Sequence, residues 1–305
     1  MTWFFLGPKL AKPPERIVSL VPSLTEAVSM LGRGHLLIGR TDFCVSPGQV
    51  RTVTSVGGTK TVDLAKVIHL GPDLVLAAKE ENPKAVVQHL SRSIPVLVVD
   101  PQGPQDVPEL WRILGEALGA EGLGRELAAE VEQELKLTTG GIGEGAHGNF
   151  IYFVWSHPWM AAGPATYVGQ LLARCGLVNA LAPEARRYPV ISQEQTLGKN
   201  VILHLYPDEP FAFRLPDALA AWGVPFVPVR FSPLPGGEAA VRGFEERRSD
   251  PNEVFLLAGR ILCVPVAGAD LTWYPSRTHL GLRLARQLAR MAMGISFGGK
   301  EFAHG

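Results

Sequence analysis

The chain has 305 residues, 46% of them hydrophobic, which is enough to fill two cores of ordinary size. Its 29 Lys and Arg balance 29 Asp and Glu, so no overall charge draws it to nucleic acid or to an anionic membrane surface. Cys44, Cys175 and Cys263 lie far apart without CxxC spacing, which fits neither a disulfide framework nor a zinc knuckle.

The N-terminal stretch MTWFFLGPKLAKPPER carries one short apolar run, residues 3–6, without a basic n-region or a small-residue cleavage site. On this reading the chain is cytoplasmic as written, and periplasmic or extracellular if a signal or lipid anchor has been removed. No stretch reaches the roughly 18 apolar residues needed to span a bilayer. The next run, RIVSLVP at 16–22, is apolar, rich in β-branched residues and ends at a proline, as a buried parallel strand would. Ser23 is then expected to cap a helix reaching Leu31, with Glu26 completing a capping box and Gly32 stopping it. The unit repeats as a strand at 36–39, a helix at 62–69, a strand at 73–77, a helix at 83–90 and a strand at 95–99. A helix near 107–118 closes this part of the chain.

Residues 121–137 are strongly helical, with Leu127, Val131 and Leu135 in i, i+4 steps. The glycine-rich run at 140–148 ends that helix, and the alternation restarts with strands at 150–155, 201–205 and 225–229 and helices at 167–175 and 216–222. Alternating strands and helices at this spacing predict parallel sheets covered on both faces. Residues 232–252, rich in Pro and Gly, read as a surface insertion before 254–266 returns to apolar order. The expected organisation is an N-terminal α/β lobe at 1–119, a connecting helix and linker at 120–144, and a C-terminal α/β lobe at 145–305 with an insertion near 230–262.

Five stretches together carry a resemblance: RIVSLVPSLTE at 16–26, IGRTDFCVSP at 38–47, VGGTK at 56–60, LGPDLVL at 70–76 and IYFVWSHPWMAAG at 151–163. In order and spacing they resemble the helical-backbone class of periplasmic-type substrate-binding proteins, the vitamin B12, haem and iron-siderophore receptors of ABC transporters. The resemblance implies an α/β fold of two Rossmann-like lobes with parallel sheets, joined by a long rigid helix, with the ligand in a cleft between the lobes. It implies no catalytic residues, no resident metal and no obligate cofactor. The ligand is then a small-molecule metal chelate (cobalamin, haem or a ferric siderophore), and the partner is an ABC transporter permease.

Open α/β sheets bind ligands beyond the carboxyl ends of their strands. Carried over position by position, the resemblance assigns ligand contacts to Ser23, Asp42, Phe43, Gly58, Thr59, Lys60, Lys79, Glu80, Glu81 and Asn82 in the first lobe, with Pro22, Cys44 and Gly57 beside them. In the second it assigns Trp155, His157, Trp159, Tyr167, Tyr188 and Glu209, with Met160 and Phe211 nearby, and then Trp273, Tyr274 and Arg277. Flat aromatics suit a corrin or porphyrin, and Lys60, Lys79 and Arg277 suit its polar edge. Plainer readings stand beside these. Trp155 also fits a core, Gly57 and Gly58 a simple turn, His157 a polar loop, Cys44 a buried thiol, and Glu80 with Glu81 a solvated pair.

Two departures matter. Relatives that bind B12 have an aromatic where this chain has Ala78, and an acidic transporter-docking residue where it has Ala65; Glu194 stands at the second docking position. The chain lacks GxGxxG after its first strand, GxxxxGK[ST], GxSxG and HExxH, and its eight histidines show no i, i+4 pair, so nothing here points to an enzyme. The alternatives kept are a cytoplasmic carrier or sensor of the same ligands without a transporter, and an enzyme using the same cleft.

Overall fold

Every residue of Ile17–Ser19 (β2), Leu74–Ala78 (β5) and Val96–Val99 (β6) is buried, which is why these runs are almost continuously apolar instead of alternating. The structure is a computed structural model that describes residues 2–10, 12–140, 147–198, 200–209, 213, 215–230 and 253–298. It divides into two compact units: Met1–Gln133 with Trp273–Thr278, and Glu134–Thr272 with His279–Gly305. The division falls inside a helix, Glu121–Gly140, that was expected over 121–137.

In the first unit the strands run in the order β1-β6-β5-β2-β3-β4, where β1 is Trp3–Leu6, β3 is Leu37–Arg40 and β4 is Thr54–Ser55. All neighbours pair in parallel except β1, which runs antiparallel to β6, so the edge departs from the all-parallel expectation. Helices α1 (Pro22–Met30), α2 (Leu64–Leu70) and α3 (Lys84–Leu90) connect the strands, and α4 (Val107–Ala117) follows β6 and leads into α5 (Glu121–Gly140). Val67 of α2 and Val87 and Leu90 of α3 pack on Val18, Val75, Ala77, Val96 and Val98. Each such side chain contributes about 1.5–3 kcal/mol when fully buried.

The expected capping box is absent. Helix α1 starts at Pro22 with Val21 as N-cap and no side-chain cap, because proline lacks the N–H that a first-turn position leaves unpaired and its φ already suits a helix. Glu26 is thereby released from capping. Asp63, inside the helix expected at 62–69, is instead the N-cap of α2 and accepts from the Lys66 amide at 3.0 Å.

The second unit has the order β11-β12-β13-β10-β7-β8, with β9 also on β7. Its strands are β7 (Gly148–Ser156), β8 (Trp159–Ala161), β9 (Leu177–Asn179), β10 (Val201–Pro207), β11 (Phe226–Arg230), β12 (Glu253–Leu257) and β13 (Ile261–Val266). β9, β7, β10 and β13 are parallel, while β8 turns back on β7 and β12 runs antiparallel to both β11 and β13. The apolar stretch 254–266 is thus a hairpin, and most of the expected insertion, 231–252, lies outside the described residues. The helices are α6 (Tyr167–Arg174), α7 (Gln193–Thr196), α8 (Leu215–Ala220), α9 (Gly268–Thr272) and α10 (Thr278–Gly298).

Within this unit, Glu134 on α5 accepts from Arg283 Nε at 2.7 Å and Arg286 Nη2 at 2.5 Å, both on α10. Burial alone would raise its pKa, but the two guanidinium groups more than offset this and hold the carboxyl below its usual range. Glu134→Ala is expected to destabilise the chain by about 2 kcal/mol in urea titration, less than the loss of a fully buried pair because Arg283 is 42% exposed. Glu134→Gln should recover part of that loss.

Candidate ligand site

Because β2 to β6 are parallel, their carboxyl ends share one edge of the first unit's sheet, and the loops leaving them are interlocked by hydrogen bonds. The Asp42 amide donates to the Gly57 carbonyl at 2.8 Å, and Ser55 Oγ donates to the Asp42 carboxylate. Gly57 takes φ +92°, and a Cβ there would lie 2.6 Å from the Thr61 carbonyl oxygen, so this glycine is required by the turn. Gly58 approaches Phe43 closely: an added Cβ would lie 3.4 Å from Phe43 Cε2. Phe43 itself is 60% exposed, an unusual exposure for a ring held at a fixed place on a loop.

Asn82 has a different role from the ligand contact expected of it. It is 4% exposed, its Oδ1 accepts from the Ala78 amide at 2.9 Å, and its Nδ2 donates to Leu20 O at 3.2 Å and Thr59 O at 3.0 Å. One side chain therefore ties together the loops after β2, β4 and β5. Thr59 is itself buried. Cys44 is also buried, against Thr41 Oγ1 at 3.1 Å, and burial pushes its thiol up, which makes it a packed thiol and not a presented metal ligand.

The cations of this rim are engaged by protein oxygens. Lys60 Nζ donates to the Glu80 carbonyl at 2.7 Å, and Lys79 Nζ pairs with Asp100 at 2.5 Å. Arg277, expected in the second lobe, lies in the first unit, where its guanidinium meets Glu26 at 2.9 and 3.0 Å and stands 5.1 Å over the Trp273 ring. Burial disfavours charge on Glu26, but Arg277, with Ser46 donating at 2.9 Å, outweighs it and holds the carboxyl below its ordinary value. Tyr274 beside them is 7% exposed. Ser23 is half-buried and Glu80 intermediate, while Glu81 is exposed by surface area yet has enough protein around its carboxyl that desolvation, against the pull of Lys60, raises its pKa.

In the second unit the expected residues divide in two. Trp155 (45% exposed), His157 and Tyr188 (39% exposed) are presented at the surface; Trp155 Nε1 donates to the His157 carbonyl at 3.1 Å, and His157 Nδ1 meets Ser156 Oγ at 2.8 Å. Tyr167 is buried, and Trp159 is partly buried against the second unit's core. Trp159 stacks on Phe213 at 5.9 Å and packs on Phe153 and Trp222, and Tyr167 is 3% exposed at the start of α6. Trp159 follows a tight return after β7 and pairs with Ser156 across it. Glu209 packs on Gly268, where a Cβ would lie 2.7 Å from the Glu209 carbonyl oxygen. Nearby, burial first and the Glu209 and Asp208 carboxylates second push the Tyr152 phenol well above its ordinary pKa. Phe211 lies outside the described residues. Glu194 is exposed in the first turn of α7, and Ala65 is exposed on α2.

Sequence reasoning did not single out Asp100 or Ser46. Asp100 has a signal, an acid directly after a buried strand; Ser46 has none, since only the return of residues 273–278 to the first unit gives it a partner cluster. Among the described residues, no group of three or more His, Cys, Asp or Glu is gathered closely enough to hold a metal ion, and no helix is long and apolar enough to cross a membrane.

Residues 17–203 match a family described as periplasmic binding protein. A vitamin B12-binding protein of Pectobacterium carotovorum subsp. carotovorum (strain PC1) is 27% identical over 202 residues, covering 64% of this chain and 73% of that protein. The fold is similar to the periplasmic vitamin B12-binding protein BtuF of Vibrio cholerae, with TM-score 0.68 at 19% identity over 92% of this chain and 98% of that one. It is also similar to the periplasmic heme-binding protein RhuT from Roseiflexus sp. RS-1, with TM-score 0.66 at 19% identity over 92% and 99% of the two chains. This likeness carries the two-lobed α/β fold.

Proposed function

We propose, from the premise that this chain belongs to the periplasmic binding protein family, that it captures a flat, amide-edged metal chelate of the cobalamin type for ABC-type uptake. The observation that carries the choice of ligand is the state of the basic side chains. Lys60, Lys79 and Arg277 are each engaged by a protein oxygen, while Glu80 and Glu81 stand on the same rim. A chelate edged with carboxylates, such as haem, would have to break those pairs and sit beside acids. One edged with amide N–H groups finds carbonyl and carboxylate acceptors already in place.

Phe43 is an exposed aromatic surface on the first unit's rim against which a macrocycle would lie. Capture requires no bond to be made or broken. The partner is an ABC permease, with exposed Glu194 as the docking side chain and no second carboxylate at Ala65.

Isothermal titration of the full chain with cyanocobalamin and with hemin tests this reading. Cyanocobalamin should bind saturably with a Kd of about 1 μM or tighter, and hemin at least about tenfold more weakly, a gap of ~1.4 kcal/mol. Phe43→Ala should weaken cyanocobalamin about tenfold through lost stacking and area, without changing stability, since the ring is exposed. Tighter binding of hemin, or saturable binding of neither, would reject the assignment.

A further inference from the structure

Asn82 ties the loops after β2, β4 and β5, but the loop after β3, which presents Phe43, is not among its partners. Arg40 is the last residue of β3 and is half-buried, at the carboxyl edge of the sheet where that loop begins. Its guanidinium reaches both ends of the loop. Nε donates to the Val50 carbonyl at 2.8 Å and Nη2 to the Arg51 carbonyl at 3.1 Å, while Nη1 donates to Thr41 O at 2.9 Å and, more loosely, to Asp42 O at 3.5 Å. Among the described residues every partner of this side chain is a main-chain carbonyl and none is a carboxylate. It is not paired for charge; its planar fork of donors fixes two separate stretches of backbone relative to each other.

Two of the carbonyls it holds also close turns. Thr41 O accepts from the Cys44 amide at 3.1 Å, around the turn that carries Phe43, and Val50 O accepts from the Val53 amide at 3.0 Å just before β4. The Asp42 amide bonds to Gly57 O at 2.8 Å and the Phe43 ring lies beside Gly58, so the same turn rests on the loop after β4. Apolar anchoring is slight: between Asp42 and Gln49 only Cys44 is buried, and Phe43 and Val45 are exposed. Apart from the bond of Ser46 to Glu26, the ends of this loop depend on Arg40 and on backbone bonds. A segment with so few buried apolar contacts opens locally at low free energy once its polar ties are lost.

We propose that Arg40 is the positioning residue of this rim: by bridging Thr41 to Val50 and Arg51 it fixes the turn that presents Phe43, and so sets the affinity for the flat face of the ligand. The effect on affinity rests on the function proposed above; the bridge does not. Arg40→Lys keeps the charge and a long stem but replaces the fork with a single ammonium, which cannot hold both ends at once.

Amide hydrogen exchange on the ligand-free full chain reads the bridge. In Arg40→Lys the amides of Cys44 and Val53 should exchange at least about tenfold faster than in the parent, while those of Leu20 and Val75, bonded across the central strands, stay within about twofold. Titration with cyanocobalamin reads the positioning. Arg40→Lys should weaken binding about fivefold in the parent but less than about twofold in a Phe43→Ala background, because the ring whose place it sets is already gone. Unchanged exchange at Cys44 and Val53 would overturn the proposal. So would acceleration spread evenly over the first unit, or an equal loss of affinity in both backgrounds, since either would make Arg40 a stabilising residue only. A parent chain that binds no cyanocobalamin rejects the ligand assignment and the affinity half of the proposal with it, while exchange at Cys44 and Val53 still decides the bridge.

Discussion

Asn82→Ala is expected to lower the unfolding free energy by about 3 kcal/mol and to weaken ligand capture in step with it. The substitution leaves the Ala78 amide and the Leu20 and Thr59 carbonyls without their partner in a site that is 4% exposed. Each buried group left unpaired costs about 1–3 kcal/mol, and partial entry of water brings the sum to the lower end. Asn82→Asp is no rescue, because it sets a carboxylate against two carbonyl oxygens. Urea unfolding measures the stability, and titration with cyanocobalamin measures the loops. A variant as stable as the parent would show that the three loops hold their places without Asn82.

Phe153→Ala should be at least as severe, destabilising by about 3–5 kcal/mol, the range for a buried aromatic replaced by alanine. Phe153 is 0% exposed and is the hub of the second unit's aromatic cluster: it stacks on Tyr206 at 4.7 Å and meets Trp159, His204, Phe213 and Trp222 within 6.4 Å. Removing it leaves a cavity that rigid rings on several sides cannot close. Phe153→Leu, which keeps most of the volume, should lose about 1–2 kcal/mol and serves as the control for size against aromaticity. If both variants unfold at the urea concentration of the parent, the cluster is not the core it is taken to be.

Much of the fold was legible because burial on both faces leaves a strong mark on a strand. The runs at 16–22, 73–77 and 95–99 are apolar for that reason, and each became a central or near-central strand of the first sheet. The long helix over 121–137 was legible from its i, i+4 pattern. Edge strands were not. Trp3–Leu6 is too short for a periodic signal, and its place beside β6 depends on a partner strand 90 or more positions away. The β12–β13 hairpin was missed because its turn places Ala258 at φ 51° and Gly259 at φ 67°, and Ala-Gly lacks the Asn or Asp that usually announces such a turn.

For the candidate site, the alternation of strands and helices predicted parallel strands, and the family resemblance assigned Asp42, Phe43, Gly58, Lys60, Lys79 and Glu81 to the loops that leave them. The sequence by itself could not determine which side chains are presented and which are committed inward. Asn82 and Trp159 were read as contacts and became a clamp and a ring packed on the core's edge, and Arg277 joined Glu26, 251 positions away in the chain. These outcomes belong to the tertiary structure. A side chain's role depends on the donors and acceptors that packing brings to it, and the partners come from segments whose local propensities carry no record of one another.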